Sequence, residues 1–571
     1  MKINKVLFII STICIFAFIG CEKILDLKPK DVFSETDVFS DINLVELLLT
    51  HTYNCTASWG IDVQNWWGER MGIENACDEG YFHWNPSIYT IDIGIITPDG
   101  MGMFSHLWKQ KYGFIREANV FLSKIDESEV KKINPIKVEE LKGEMKYLRA
   151  SVYFDLINYF GGVPITDKPF ELTDESFSIP RNSYKDCVNF IVNDLDEAKD
   201  MVPQIRPANE FGKVTKGACL ALKSRVLLYA ASELHDPSTG SRPNGPLYDY
   251  DNDNKWKDAA DAAKALIDLN QYSLVVVGSW EDYQKMFLHP NPEIIFARPF
   301  HPDWGNVGND FTTLPDKAHS PNGYNGWSCC SPTQNLVWSF KMANGKRINE
   351  AGSNYNPENP YVNRDPRFYA DIVFNGCMYR GRNAEFYLPG GLDSRDGIMN
   401  FHYNVTGYNL RKFMDESIDI DKEASPNRPY IISRLAEIYL NYAEAQYHLG
   451  NEDIAREYVN KVANRVSMPE IQTSGEELLM DIKNERQIEL CFEGHRFFDA
   501  RRWMSVSDLS GICFGIEWKK VDTNGNLSPD GILEQNIITV EERILNPGNY
   551  YLPIPRSEIE KSGIEQNFGY N

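Results

Sequence analysis

Residues 435–466 read LAEIYLNYAEAQYHLGNEDIAREYVNKVANRV, and two helices are written in that one stretch. Leu435, Ile438, Tyr442, Ala445 and Leu449 recur at intervals of three and four, which places them on one helix face. Gly450 permits the left-handed residue that stops a helix. Asn451 is of the residue type that caps the next one, and Glu452-Asp453 put negative charge at the positive end of its dipole. Ala455, Val459, Val462 and Val466 then face back across the pair. Small Ala443 and Ala445 let the two axes approach, so the stretch predicts an antiparallel helical hairpin.

The run from Ala443 to Gly450, with Ala455, resembles a tetratricopeptide unit. No strict 34-residue period repeats along the chain, which predicts a degenerate helical-pair scaffold and not a regular array. Upstream, Leu141, Met145, Leu148, Val152, Leu156 and Tyr159 mark another helix face that ends at Gly161-Gly162-Val163-Pro164. Residues 107–125, 184–201, 215–234 and 256–269 read as further helices. Residues 236–250 and 290–428 differ: they are rich in Gly, Pro, Asn and aromatics, with a strand-like run at 367–374. A similar run, 272–277, lies just before the longer stretch. Irregular stretches this long inside a folded chain usually carry function. The expectation is a mainly α fold, a tetratricopeptide-like helical-pair scaffold with a long insert of irregular loops and short strands. Its parts are a leader at 1–20, an N-terminal helical region at 21–235, a central helix plus aromatic-rich insert at 236–428, and a C-terminal helical region at 429–571, in one composite fold.

The leader has two lysines, Lys2 and Lys5, followed by an apolar run from Val6 to Gly20. Fifteen residues fall short of the roughly 20 that cross a bilayer core, and the positive flank fits a secretory signal. Gly20 directly before Cys21 resembles the lipobox of bacterial lipoproteins, with Phe18 where that pattern prefers Leu. Cys21 is therefore the expected lipidation site and membrane tether. Loss of Lys2 and Lys5 with the leader takes the formal net charge from −23 to −25. Phosphate backbones need dense Lys and Arg, so so acidic a chain excludes nucleic acid as a partner. With 12 Trp, 29 Tyr and 30 Phe in 571 residues, the bulk of the chain has ample material for a core.

Nine cysteines follow Cys21, none in a CxxC pair, and Cys187, Cys219 and Cys491 fall within apolar helical patterns. They read as packing residues, without a zinc or thioredoxin-like site. No G-x-S-x-G elbow, H-E-x-x-H helix or P-loop occurs. Asp251-Asn252-Asp253-Asn254 resembles a calcium loop but lacks the Gly and closing Glu of an EF-hand. No cofactor and no metal is expected.

Five motifs, in order, resemble the SusD/RagB family. They are LRASVYFDL at 148–156 running to FGGVP at 160–164, GKVTKGA at 212–218, RLAEIYLNYAEA at 434–445, ERQIELCFEGHRFFD at 485–499 with Arg501-Arg502-Trp503, and YLPIPRSEI at 551–559. The resemblance covers essentially the whole mature chain. It implies a surface-exposed outer-membrane lipoprotein that binds an oligosaccharide or polysaccharide without acting on it, and that caps a SusC-like TonB-dependent transporter. Some members handle peptides, so a peptide- or protein-binding member is the alternative; a secreted glycoside hydrolase, needing only two facing carboxylates, is the third. Glu493, His495, Arg496 and Asp499 are a tempting acid–base constellation on a helix. Their place in a family motif without a known reaction favours structural ion pairs instead.

Sugars pack a C–H face on flat aromatics and present hydroxyls to paired donors and acceptors. Asp78-Glu79-Gly80-Tyr81-Phe82-His83-Trp84-Asn85 interleaves both kinds of side chain. The resemblance places an acidic pair at the border of the ligand site, which Asp78-Glu79 matches, and Trp84 is the nearest stacking candidate. His301 to Asn306 and Asn322 to Trp327 repeat the pattern inside the insert, with glycines for tight turns. Trp304, Tyr324 and Trp327 are the aromatic candidates there. Trp66-Trp67, Trp108, Trp256, Trp338 and Trp503 read as core.

Overall fold

A computed structural model of the chain describes residues 35–56, 73–82, 86–170, 179–299, 315–421 and 428–570. Its frame is a series of helices: α1 (Ile42–Thr52), α2 (Leu107–Lys124), α3 (Pro135–Phe160), α4 (Tyr184–Met201), α5 (Lys216–Ala231), α6 (Lys255–Ile267), α7 (Leu435–His448), α8 (Glu452–Arg465), α9 (Glu476–Glu489) and α10 (Arg496–Arg502). Local chemistry sets their ends. In α3, Asn134 accepts a cap from Lys137 N and Pro135 occupies the first turn, where its missing N–H costs nothing. Gly161 ends it at φ +72°, a conformation that strains any residue with a Cβ. Thr215 and Ser183 cap α5 and α4 through their hydroxyls.

Each helix from α2 to α8 packs on the next in the chain, and α6 packs directly on α7 although the insert separates them in sequence. The insert is thus looped out of a continuous helical stack. The hairpin α7–α8 turns at Gly450, φ +79°, with Ala443, Ala445, Ala455, Val459 and Val462 buried at the crossing. Asn451 sits at the cap position of α8, but its amide donates to Gln446 Oε1 at 2.7 Å instead of being bound by the helix.

Two strands, Ile294–Arg298 and Tyr430–Arg434, pair antiparallel and close the insert at its neck, with Ile294 opposite Arg434 and Arg298 opposite Tyr430. Beneath this neck lies a cluster of fully buried charge. Arg434 donates to Glu293 at 2.8 Å, to Glu489 at 2.5 Å and to both oxygens of Glu493 at 2.7 and 2.8 Å. Arg465 also binds Glu293 and Glu489, Lys412 binds Glu493, and Arg367 binds Glu485 and Glu489. Strand, insert and helix ends are joined there by ion pairs buried from solvent. A second apolar core, including Phe287, Phe340, Phe368 and Tyr408, lies in the insert and reaches Ile488 and Phe492 of the frame.

Three local expectations change. Residues 272–277 form no regular element; Val276 is 93% exposed, so the run has no sheet face to bury. Within 367–374 only Ile372–Phe374 is strand, because Asp365 and Pro366 start a short helix, Pro366–Asp371, first. The C-terminal region also contains a long antiparallel ribbon, Gly511–Val521 with Ile532–Arg543, which carries Ile516 and Trp518 into the core of the insert.

Candidate functional site

The strand pair Gly80–Tyr81 and Ser331–Pro332 brings the N-terminal acidic–aromatic segment against the insert, Gly80 opposite Pro332 and Tyr81 opposite Ser331. Thr333 fixes that junction from one residue: its hydroxyl donates to Asp78 O, its N–H donates to Glu79 O at 3.0 Å, and the same hydroxyl accepts from Leu336 N. As a result Phe82 packs with Trp327, Ala318 and Cys329 in one small cluster. Two segments about 240 residues apart in the chain, each singled out for its aromatics, meet at one place.

Trp327 is half-buried, held by its N–H to Lys317 O at 2.9 Å, and its ring runs nearly parallel to that of His402 at 24° and 6.3 Å. Burial, and then the Lys317 charge, hold the His402 imidazole below its ordinary range, so it is neutral at pH 7. Phe401 beside it is 69% exposed. Lys317 pairs with Asp421, which also accepts from Asn325 Nδ2 at 2.8 Å. A half-buried aromatic wall, a neutral imidazole and a polar rim together form a surface suited to a ring with hydroxyls.

Tyr324 borders this surface but is pinned. Its hydroxyl donates to Tyr379 O at 2.8 Å, and the Arg382 guanidinium lies 3.8 Å from its ring centre. Arg382 is itself forked by Asp393 at 2.8 Å through both terminal nitrogens. The glycines of the turn serve close approach: a Cβ on Gly326 would lie 2.0 Å from Ser320 O, and one on Gly323 2.4 Å from Leu392 O. Just before them Asn322 is fully buried and donates to Ser394 O and Ile398 O, which ties the loop carrying Phe401 and His402 beneath the turn. Gly326→Ala is expected to cost about 2–3 kcal/mol of stability, read as a lowered urea midpoint with an unchanged helical spectrum.

Asp78 lies against the frame. Both of its oxygens are taken by Arg496 at 2.7 and 2.8 Å, and Gln487 donates to one of them at 3.0 Å. Glu79 is fully buried and accepts from Phe492 N at 3.2 Å; burial, then the charges of Asp78 and Glu74, push its carboxyl well above the usual range. The acidic pair anchors the loop that delivers Phe82. Trp84, Trp304, Trp66-Trp67 and the lipidation candidate Cys21 lie outside the described residues. His402 and Phe401 were not singled out in the sequence, although Asn400-Phe401-His402-Tyr403-Asn404 shows the same interleaving as the segments that were.

The other constellation resolves into ion pairs. Glu493 binds Lys412 and Arg434, Arg496 binds Asp78 and Asp508, and Asp499 binds Arg486 and Arg502. The nine cysteines are buried and free, and burial pushes Cys55 and Cys187 up to about 12. Among the described residues, no group of three or more His, Cys, Asp and Glu side chains is arranged to hold a metal. No described helix is long and apolar enough to cross a membrane.

A tetratricopeptide-like stack of helices from which an aromatic-faced insert projects defines a binding scaffold. The family model described as the SusD family matches residues 292–570, and one described as starch-binding and associating with the outer membrane matches residues 30–228. The chain belongs to the SusD/RagB family. The fold is that of a SusD-like protein from Bacteroides fragilis, 28% identical, at a TM-score of 0.77 over 95% of this chain and 100% of that one. A SusD-like carbohydrate-binding protein from the same organism is 24% identical, with a TM-score of 0.74 over 92% of this chain and 98% of that one. A SusD-like protein of Formosa agariphila is 23% identical over 88% of this chain and 92% of its own.

Proposed function

We propose that this protein is a non-catalytic glycan-capture lipoprotein, tethered by Cys21 to the outer membrane and facing outward, that passes oligosaccharide to a SusC-like TonB-dependent transporter. The observation that carries the reading is the half-buried Trp327 ring, backed by buried Phe82 and lying nearly parallel to His402, in a SusD/RagB fold. The helical regions at 21–235 and 429–571 serve as the frame, and the region at 236–428 supplies recognition. Stacking on a partly open aromatic wall gives modest affinity, and tethering beside the transporter raises the local ligand concentration. Asp78 and Tyr324 act by holding the wall in place. Trp84 and Trp304, in the same two sequence segments, are further candidates for glycan contact. The ion-paired carboxylates of the 485–499 motif hold the frame and carry out no hydrolysis.

Titration calorimetry against a polysaccharide panel tests the binding claim, and an outcome of no glycan bound with extended peptides bound overturns it. Trp327→Ala should weaken glycan affinity roughly 10- to 100-fold while leaving the far-ultraviolet spectrum intact. Cys21→Ala should release the protein from the membrane fraction, since the acyl chains at Cys21 are the proposed tether; fractionation with the variant still in the membrane pellet would overturn the tether.

A further inference from the structure

Resting on the glycan reading above, we propose that the Trp327 surface takes an uncharged glycan and turns away acidic sugars, with Asp421 as the residue that sets the choice. A uronate or sulfate needs a cation with donors to spare, best of all a guanidinium fork open to a bidentate partner. Among the described residues, the cations of this surface are already paired. Lys317 is bound by Asp421, and its side chain is only 15% exposed. Arg382 spends both terminal nitrogens on Asp393 and lays its flat face on Tyr324. Arg380, behind them, donates to Asp316 at 3.1 Å and to Ile418 O at 2.8 Å.

Lys317 and Arg382 each have a carboxylate of their own, so the surface carries charge without net charge. An acidic sugar brought to Trp327 would meet Asp421, whose side chain is 40% exposed, before it met the ammonium beneath. The strongly negative formal charge, −23 for the whole sequence and −25 without the leader, adds a longer-range repulsion against any polyanion. Hydroxyls suffer no such penalty. They find acceptors and donors of both kinds in a carboxylate, an amide and a neutral ring, and the sugar's C–H face finds Trp327. Asp421 acts here through Lys317: it is a specificity residue because it cancels a lysine that could otherwise receive a carboxylate.

The test titrates the full mature chain with neutral polymers (laminarin, xyloglucan, galactomannan, pullulan) and with polygalacturonate and alginate. Each is run at about 0.02 M and about 0.5 M sodium chloride, which spans weak and strong screening. The expected result is binding of at least one neutral polymer with an affinity that changes less than about twofold with salt, lost in Trp327→Ala, and no binding of either polyanion. Asp421→Asn should then gain salt-sensitive binding of polygalacturonate, roughly three- to tenfold above wild type. Asp453→Asn, which removes an equal charge from a fully exposed position on α8, should gain none. Wild-type binding of a polyanion that weakens with salt overturns the neutral-ligand proposal and leaves the glycan reading standing. Neutral binding that survives Trp327→Ala overturns the assignment to this surface. Failure of Asp421→Asn to bind polygalacturonate overturns the role of Asp421. Failure to bind any polymer overturns the glycan reading and the proposal with it.

Discussion

Arg434→Met is expected to destabilise the protein by about 3–5 kcal/mol, seen as a fall in the urea midpoint at pH 7. The guanidinium is 1% exposed and serves three buried carboxylates at once: Glu293 before the first neck strand, and Glu489 and Glu493 at the end of α9 and beyond it. Removing it leaves excess negative charge among buried carboxylates, and that charge is the source of the penalty. The intact cluster need not be strongly stabilising, since its desolvation cost is of the same order as its attraction. A single variant within about 1 kcal/mol of wild type would show that water or a neighbouring cation takes over the role.

Glu444→Gln should show its effect through pH. Glu444 sits on α7, fully buried, with Arg502 forked across it at 2.5 and 2.7 Å and the Trp503 indole donating at 2.7 Å. Burial alone would raise its carboxyl, but Arg502 outweighs burial and holds it at about 2, against an ordinary 4.5. A carboxyl lowered on folding contributes stability above its unfolded value and loses it as pH falls. The window is from about 4.5 down through about 2, where the unfolded chain takes up a proton that the folded one refuses. The contribution is about 3 kcal/mol at neutral pH. Wild type should thus be more stable than Glu444→Gln by about that amount at pH 7, with the gap closing as pH approaches 2. A gap that stays constant across a pH series of urea titrations would overturn this account.

The helices were legible because each buries a face at regular spacing. Leu141 to Tyr159 and Leu435 to Val466 carry the period in their own residues, and their ends carry Gly161, Thr215 and Gly450 in positions that need them. What the sequence did not disclose was order in space. Nothing local to residue 267 or residue 435 says that α6 and α7 are neighbours; that follows from the strand pairing at the neck, a contact between distant residues. The ribbon at 511–543 was missed although Asn524-Gly525, at its turn, is a hairpin signal. Its outer strand exposes Ile532, Leu533 and Ile537, so the alternation that marks a half-buried strand is absent. At the site, Tyr324 and Trp327 stood out as aromatics among glycines and asparagines. Whether a ring is pinned or presented depended on Arg382, Tyr379 and Lys317, partners that no spacing reveals. Asp78 was legible as important but not as an anchor, because its partner Arg496 lies 418 residues away.

The neck has a consequence for how such chains diversify. Because Arg298 and Tyr430 face one another across a ribbon, the chain leaves the helical stack and returns to it at nearly the same point. The entropy of closing that excursion is borne by the ribbon and grows only slowly with the length beyond it, about 0.6 kcal/mol for each doubling. Selection can therefore lengthen, shorten or rewrite the excursion for a new sugar while α6 and α7 keep their contact.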